Sequence, residues 1–199
     1  MKIIIKAWVG VLGAYLLFCF LPSYGSAKSS LLERQQSPTS VGGLQLAVST
    51  VDINKTDVPQ FQIAFHNDGE NDIVLDLGTM LANGKVLLPY KISLNLTDAS
   101  GKTRKLTFFD KRYPVVAGRV DDYIVPLRGG STYTVRVGLD QFISQETNEY
   151  ELKLPKGKSQ IVAMFEGGEA NGVNLDTQGI KLMNLWRGSV QSNTLTIER

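Results

Sequence analysis

His66 is the only histidine in the 199 residues, so a Ser-His-Asp relay would have to run through it. It directly precedes the turn sequence Asn67-Asp68-Gly69, and no serine sits in a Gly-x-Ser-x-Gly elbow. A histidine at a strand end with an ordinary hydrogen bond is the plainer reading. Asp68, Glu70 and Asp72 recur at alternate positions, the spacing with which hard oxygen ligands begin a calcium loop. Ile73 stands where such a loop needs glycine, and Thr79 where it needs its closing glutamate, so a solvated turn is favoured. Asp121-Asp122 is a weaker candidate still. Asp76, Asp110, Glu166 and Glu169 supply carboxylates, but acid–base work on a glycoside requires a fixed separation in space, and these four read as surface charges. Gly167-Gly168 lacks the Lys-Ser/Thr that completes a phosphate cradle. The only cysteine, Cys19, lies in an apolar leader, so no thiol nucleophile, zinc–cysteine site or disulfide is expected in the mature chain. No catalytic residue, metal or cofactor is expected.

Binding chemistry is better represented. Lys102, Arg104 and Lys105, with Lys111 and Arg112 nearby, form a basic cluster interleaved with Phe108, Phe109 and Tyr113. Such a cluster could meet an anionic partner; a charged strand face that discourages edge pairing is the favoured reading. Residues 166–185 are rich in Gly and Asn and longer than most loops of compact domains. Glu166, Glu169, Asn171, Asn174 and Asp176 are the groups this segment would offer a partner, since long loops at the end of a sandwich often bind. Asn54-Lys55-Thr56 and Asn95-Leu96-Thr97 match the glycosylation sequon, which matters only in a host that glycosylates exported proteins.

The elements that must position these groups are strands. Within residues 88–109, Tyr90, Ile92, Leu94 and Leu96 alternate with Lys91, Ser93, Asn95 and Thr97, which puts the apolar side chains on one face. Asp98-Ala99-Ser100-Gly101 supplies turn chemistry, and Leu106 and Phe108 return on the same face. The same period marks Leu44, Leu46 and Val48, with Val51 and Ile53 extending them after a bulge. It also marks Phe61, Ile63 and Phe65; Ile73, Leu75 and Leu77; Tyr133, Val135, Val137 and Leu139; and Tyr150, Leu152 and Leu154. Residues 78–87 read as a loop. Residues 121–127 read as an edge strand, because Pro126 cannot donate to a ladder. Residues 160–165 are nearly continuous in apolar character, as in a strand buried on both sides. Residues 186–198 read as a final strand pair or one bent strand. Seven to nine short strands without an amphipathic helix predict an antiparallel all-β fold, a two-sheet sandwich or a barrel.

Ahead of these strands, Lys2 and Lys6 precede an apolar run from Ala7 to about Leu21, broken by Pro22 and followed by Gly25-Ser26-Ala27. This is the pattern of a signal peptide cleaved near Ala27. Bulky Phe18 before Cys19 disfavours lipidation. The expected organisation is therefore signal peptide 1–27, flexible lead-in 28–41 and β-domain 42–199, with no stable membrane span after cleavage. Without Lys2 and Lys6, 19 basic residues face 19 acidic ones, so no overall basic field points to nucleic acid.

Four stretches carry a resemblance. They are the run from Phe61 to Gly69, the turn Leu127-Arg128-Gly129-Gly130-Ser131-Thr132-Tyr133, Leu154-Pro155-Lys156-Gly157, and the stretch from Trp186 to Asn193. Together they resemble immunoglobulin-like sandwich domains of secreted bacterial proteins. They are similar to the intracellular proteinase-inhibitor family of bacilli and to pro-regions of some secreted metalloproteases. The resemblance departs at Ser159-Gln160, where the related pattern has an aromatic whose hydroxyl ties down the loop, so it does not extend to a tyrosine corner there. It implies an immunoglobulin-like sandwich. The function expected is a secreted or periplasmic, non-catalytic binding or accessory protein that meets a protein or polysaccharide through the 166–185 and 110–122 loops. The resemblance alone raises the alternative of a proteinase inhibitor or inhibitory pro-segment. A hydrolase is disfavoured by the lone His66 and the absent thiol.

Overall fold

Alternation of apolar and polar residues becomes antiparallel sheet over most of residues 44–198. A computed structural model describes residues 40–51, 58–114, 119–151, 153–168 and 184–199. Among them are twelve strands. They are β1 (Leu44–Val51), β2 (Gln60–Asn67), β3 (Ile73–Leu81), β4 (Val86–Leu88), β5 (Ile92–Thr97), β6 (Thr103–Phe108), β7 (Val120–Leu127), β8 (Thr132–Gly138), β9 (Phe142–Ser144), β10 (Lys158–Gly167), β11 (Gly188–Gln191) and β12 (Leu195–Glu198). The count exceeds the expected seven to nine because β4 and β9 have three residues each, too few to show a period, and because the final segment divides into β11 and β12.

The strands form an all-β sandwich. One sheet has the order β1-β2-β8, a second β4-β3-β7, and the largest β11-β10-β5-β6-β9, with β12 also on β10. β11 and β12 both pair antiparallel with β10, at residues 164–167 and 158–161, so they are one bent strand, as the second of the two readings has it. Its break is held by Ser192, whose Oγ accepts the Ala163 N–H at 2.9 Å and donates to the Asn193 carbonyl at 2.7 Å.

Aromatic contacts tie the inward rows. Phe65 of β2 meets Phe165 of β10 edge to face at 5.2 Å, and Phe108 and Phe142, cross-strand neighbours on β6 and β9, meet likewise at 5.5 Å. Each such pair contributes about 0.5–1.5 kcal/mol beyond its buried area. Trp186 stacks on Phe165 at 5.5 Å and lies over Gly167, where an added Cβ would come within 2.4 Å of Trp186 Cε3. The indole N–H donates to the Val41 carbonyl at 3.1 Å.

Several boundaries differ from the sequence expectation, each for a physical reason. Residues 78–87 are not a loop: β3 runs on to Leu81 through a register shift between Asp76 and Thr79, then turns into β4. Gly78 permits this bulge, with φ +144° and a position only 2.3 Å from the Leu88 carbonyl for any Cβ. Asp76 is 1% exposed rather than a surface charge; its Oδ1 accepts the Gly78 N–H and its Oδ2 lies 2.5 Å from Lys91 Nζ. Tyr90 precedes β5 in a turn and is 39% exposed, so the dry row of that hairpin starts at Ile92. The hairpin turn is built as read: Asp98 Oδ1 accepts the Ser100 and Lys102 N–H groups. β1 runs without a bulge from Leu44 to Val51, and Ile53 lies outside the described residues. Tyr150 makes only an isolated bridge to Ile143 and Leu154 is buried outside any strand, while Leu152 lies outside the described residues. β10 is buried on one face, not two: Ile161, Ala163 and Phe165 are fully covered while Val162 and Met164 are half-buried, since no layer among the described residues covers the outer face. β7 is an edge strand, as Pro126 implies.

Candidate functional site

An open sheet edge is a row of main-chain donors and acceptors, and most edges of this sandwich are blunted. β4 and β9 are three residues long, β7 contains Pro126, and the β11–β12 edge is broken at residues 192–194. The β1 edge is covered by Ser192, which bridges to Leu46, and by Asn193, whose Oδ1 accepts the Val48 N–H at 2.9 Å and whose Nδ2 donates to the Val48 carbonyl at 3.2 Å. β8 is different. It has seven residues and no proline, pairs with β2 alone, and makes no other main-chain bond over residues 132–137 among the described residues.

Beside that edge lies a cavity of about 140 Å³. Five consecutive β8 residues, 133–137, line one side, facing Leu87, Pro89, Phe108 and Tyr123. Successive side chains of a strand point to opposite faces, so five in a row can touch one cavity only if the strand presents its edge there. Tyr123 and Tyr133 close the floor, their hydroxyl oxygens 2.6 Å apart. Burial, then the hydrogen bond to Tyr133, pushes the Tyr123 phenol well above its ordinary value. Tyr123 therefore stays neutral and offers polarity without charge. Leu87 is among the few large apolar side chains left exposed.

Gln141 joins this cavity to a second one, of about 190 Å³, bounded by Gln60, Asp110, Lys111, Arg112 and Asp140. Gln141 Oε1 accepts the Gly138 N–H at 2.8 Å, and its Nε2 donates to Asp110 Oδ2 at 3.0 Å. Asp110 is 7% exposed, which corrects its reading as a surface charge. It is the hub of its turn: Arg112 donates to it from Nε and from a terminal guanidinium nitrogen, as well as from its own N–H. The Arg112 side-chain bonds hold its carboxyl below the usual range, against the opposing effect of burial.

The five basic residues do not gather into one free patch. Lys102 faces Glu146 at 3.0 Å, Arg104 faces Glu151 at 2.8 Å, and Lys105 lies 3.8 Å from Glu166. Arg104 shares the inward parity of Leu106, whereas Lys105 has the outward parity. Lys111 sits over the Tyr150 ring at 5.5 Å, and Arg112 is committed to Asp110. Burial pushes the Glu151 carboxyl up, with Arg104 acting against it.

Glu166 is exposed at the end of β10; Glu169, Asn171, Asn174 and Asp176 lie outside the described residues, as does Asn54. Asn95 is half-buried on the strand between β10 and β6, its Nδ2 at 3.0 Å from Met164 Sδ. His66 Nδ1 lies 3.0 Å from Thr132 Oγ1 at the end of β2. Asp68 accepts from Gln45 Nε2 at 2.7 Å, which lowers its pKa, and Asp72 accepts the Gly129 N–H at 3.1 Å. Asp121 and Asp122 are both buried on β7, the former bound by Arg119. Among the described residues no three His, Cys, Asp or Glu side chains converge as for a metal, and no helix is long and apolar enough to cross a membrane.

The edge groove was not legible beforehand. The alternation at residues 133–139 identifies a strand, but which side of it stays unpaired depends on β2, which lies far away in sequence. Pro126 alone gave a local signal of an edge.

Neither a protein-family model nor a curated protein matches the sequence. Among solved structures, the β-glucosidase DesR from Streptomyces venezuelae, in complex with D-glucose, is similar over 76% of this chain, at 15% identity and a TM-score of 0.30. This chain spans 15% of that chain's length, a likeness too slight to bear on fold or activity.

Proposed function

We propose that this is an exported, non-catalytic binding protein that takes up an extended polypeptide along the open edge of β8. The observation that carries the reading is the cavity lined by five consecutive β8 residues, which opens onto the main-chain edge. An unpaired edge is complemented by another strand, through main-chain bonds for affinity and alternate side-chain pockets for selectivity. A cavity of about 140 Å³ suits a side chain of such a strand. It falls below the roughly 300–1,000 Å³ of pockets that enclose small-molecule ligands. The basic start, apolar run and small residues of positions 2–27 support export. The immunoglobulin-like motifs suit the same role. The loop at 166–185 gives way to the β8 groove as the preferred contact surface.

Selection from a displayed library of linear peptides tests this. Selected peptides are expected to slow amide exchange over residues 132–138, and to lose binding when alternate peptide nitrogens are methylated. Protection elsewhere, undiminished binding of the methylated peptides, or failure to select any peptide would overturn the reading. Protection of β8 through self-association of the free protein would assign the edge to a second copy instead.

A further inference from the structure

We infer, resting on the strand-addition reading, that the incoming strand carries an acidic residue between two apolar ones, and that Arg136 receives the acid. Tyr133, Val135 and Val137 form the inward row of β8 and reach the cavity beside Phe108. Thr132, Thr134 and Arg136 form the exposed outward row. A strand laid along this edge has the same two rows, so its inward side chains enter the cavity beside Val135, Val137 and Phe108 and its outward ones lie beside Thr134 and Arg136.

Arg136 is without an acidic neighbour on its own sheet. Its β2 partner is Gln62, and the diagonal residues on that face are Gln60 and Ala64. Among the described residues it makes no ion pair, unlike Arg104, Arg112 and Arg119. Among the described residues, the cross-strand position left vacant beside it is on the open side of β8. A carboxylate there meets a cation with the geometry of a cross-strand pair, worth about 0.2–1 kcal/mol, whereas a lysine there meets a like charge. The inward row adds the apolar requirement on each side. The partner is thus a polypeptide segment of the pattern apolar–acidic–apolar.

The probe is the palindromic peptide Thr-Val-Glu-Val-Thr, blocked at both ends, which presents the same rows in either strand direction. It is compared with versions carrying Gln or Lys at the centre, on the full mature chain. The Glu peptide is expected to bind about 1.5- to 5-fold more tightly than the Gln peptide, a factor that follows from the pair energy above. The preference should vanish in Arg136→Gln and pass to the Lys peptide in Arg136→Glu. Arg136 is exposed, and a thermal melt of each variant checks that it folds. Equal affinity for the Glu and Gln peptides would overturn the acidic preference and leave strand addition standing. No binding by any of the three, with no protection of residues 132–138, would overturn both.

Discussion

Asn67 and Leu127 are sixty residues apart in the chain, and the Asn67 amide donates to the Leu127 carbonyl at 3.1 Å in a buried site. The same amide donates to the Asn71 carbonyl at 2.8 Å, while its oxygen accepts the Gly69 N–H at 3.1 Å. Main-chain bonds to Ser131 and Gly130 complete the knot, which fixes the β2–β3 turn against the end of β7 and the start of β8. Asn67→Ala leaves buried main-chain groups unpartnered. It should cost about 2–3 kcal/mol, given the usual penalty for such groups. The measurement is the urea midpoint, which should fall at constant slope; an unchanged midpoint would show that the knot contributes nothing.

Asn193 covers β1 as a strand would, with one donor and one acceptor matched to the two main-chain groups of Val48. Asn193→Ala should lower stability by about 1–2 kcal/mol and uncover a main-chain edge. The second effect is the more specific. Sedimentation should show concentration-dependent association of the variant at concentrations where the native chain does not associate. A variant that loses stability without associating would mean that β1 is protected by something other than Asn193.

The inward rows of β1, β2, β5, β6 and β8 were readable from period alone, because each strand has one dry face and a one-residue slip would expose it. What escaped was long-range or too short. β3 passes through Gly78 because a charged pair, Asp76 with Lys91, is buried beneath a bulge. Asp110 reads like any surface carboxylate because, although Arg112 is two residues away, Gln141, which also holds it, is 31 residues away. The unpaired side of β8 could not be read at all, because edge status belongs to a sheet and not to a segment. Nothing in the sequence sets Arg136 apart from any strand charge, while the denser cluster at 102–112 stands out and proves largely paired.

Asp110 and Glu151 should respond to acid in opposite senses. The Asp110 pKa is depressed in the folded chain, so its stabilisation is complete above the unfolded value of about 4 and is lost as pH falls through the lower folded value. Asp110→Asn should remove that part of the acid loss. The Glu151 pKa is raised, so the folded state holds the proton more readily and stability falls as pH rises from the ordinary glutamate value through the raised one. Glu151→Gln should flatten that segment. Urea midpoints from pH 2 to 7 check both, and variants whose profiles parallel the native one would refute the assignments.

Tyr123 and Tyr133 join the edge strands of two sheets through hydroxyls 2.6 Å apart, and the same pair floors the β8 cavity. Tyr133→Phe leaves a buried Tyr123 hydroxyl without that partner, for a cost of about 1–2 kcal/mol. Removing both hydroxyls should cost no more than removing one, since the two rings still pack and no polar group is stranded. A double-mutant cycle therefore should show coupling of about 1 kcal/mol or more. Additive losses would mean that each hydroxyl has a separate partner. The double variant also separates stability from binding: it keeps the main-chain edge of β8 and the apolar walls, so peptide affinity should stay within about threefold of the native value if main-chain pairing supplies most of it. A larger loss at unchanged stability would show that the hydroxyls themselves contact the incoming strand.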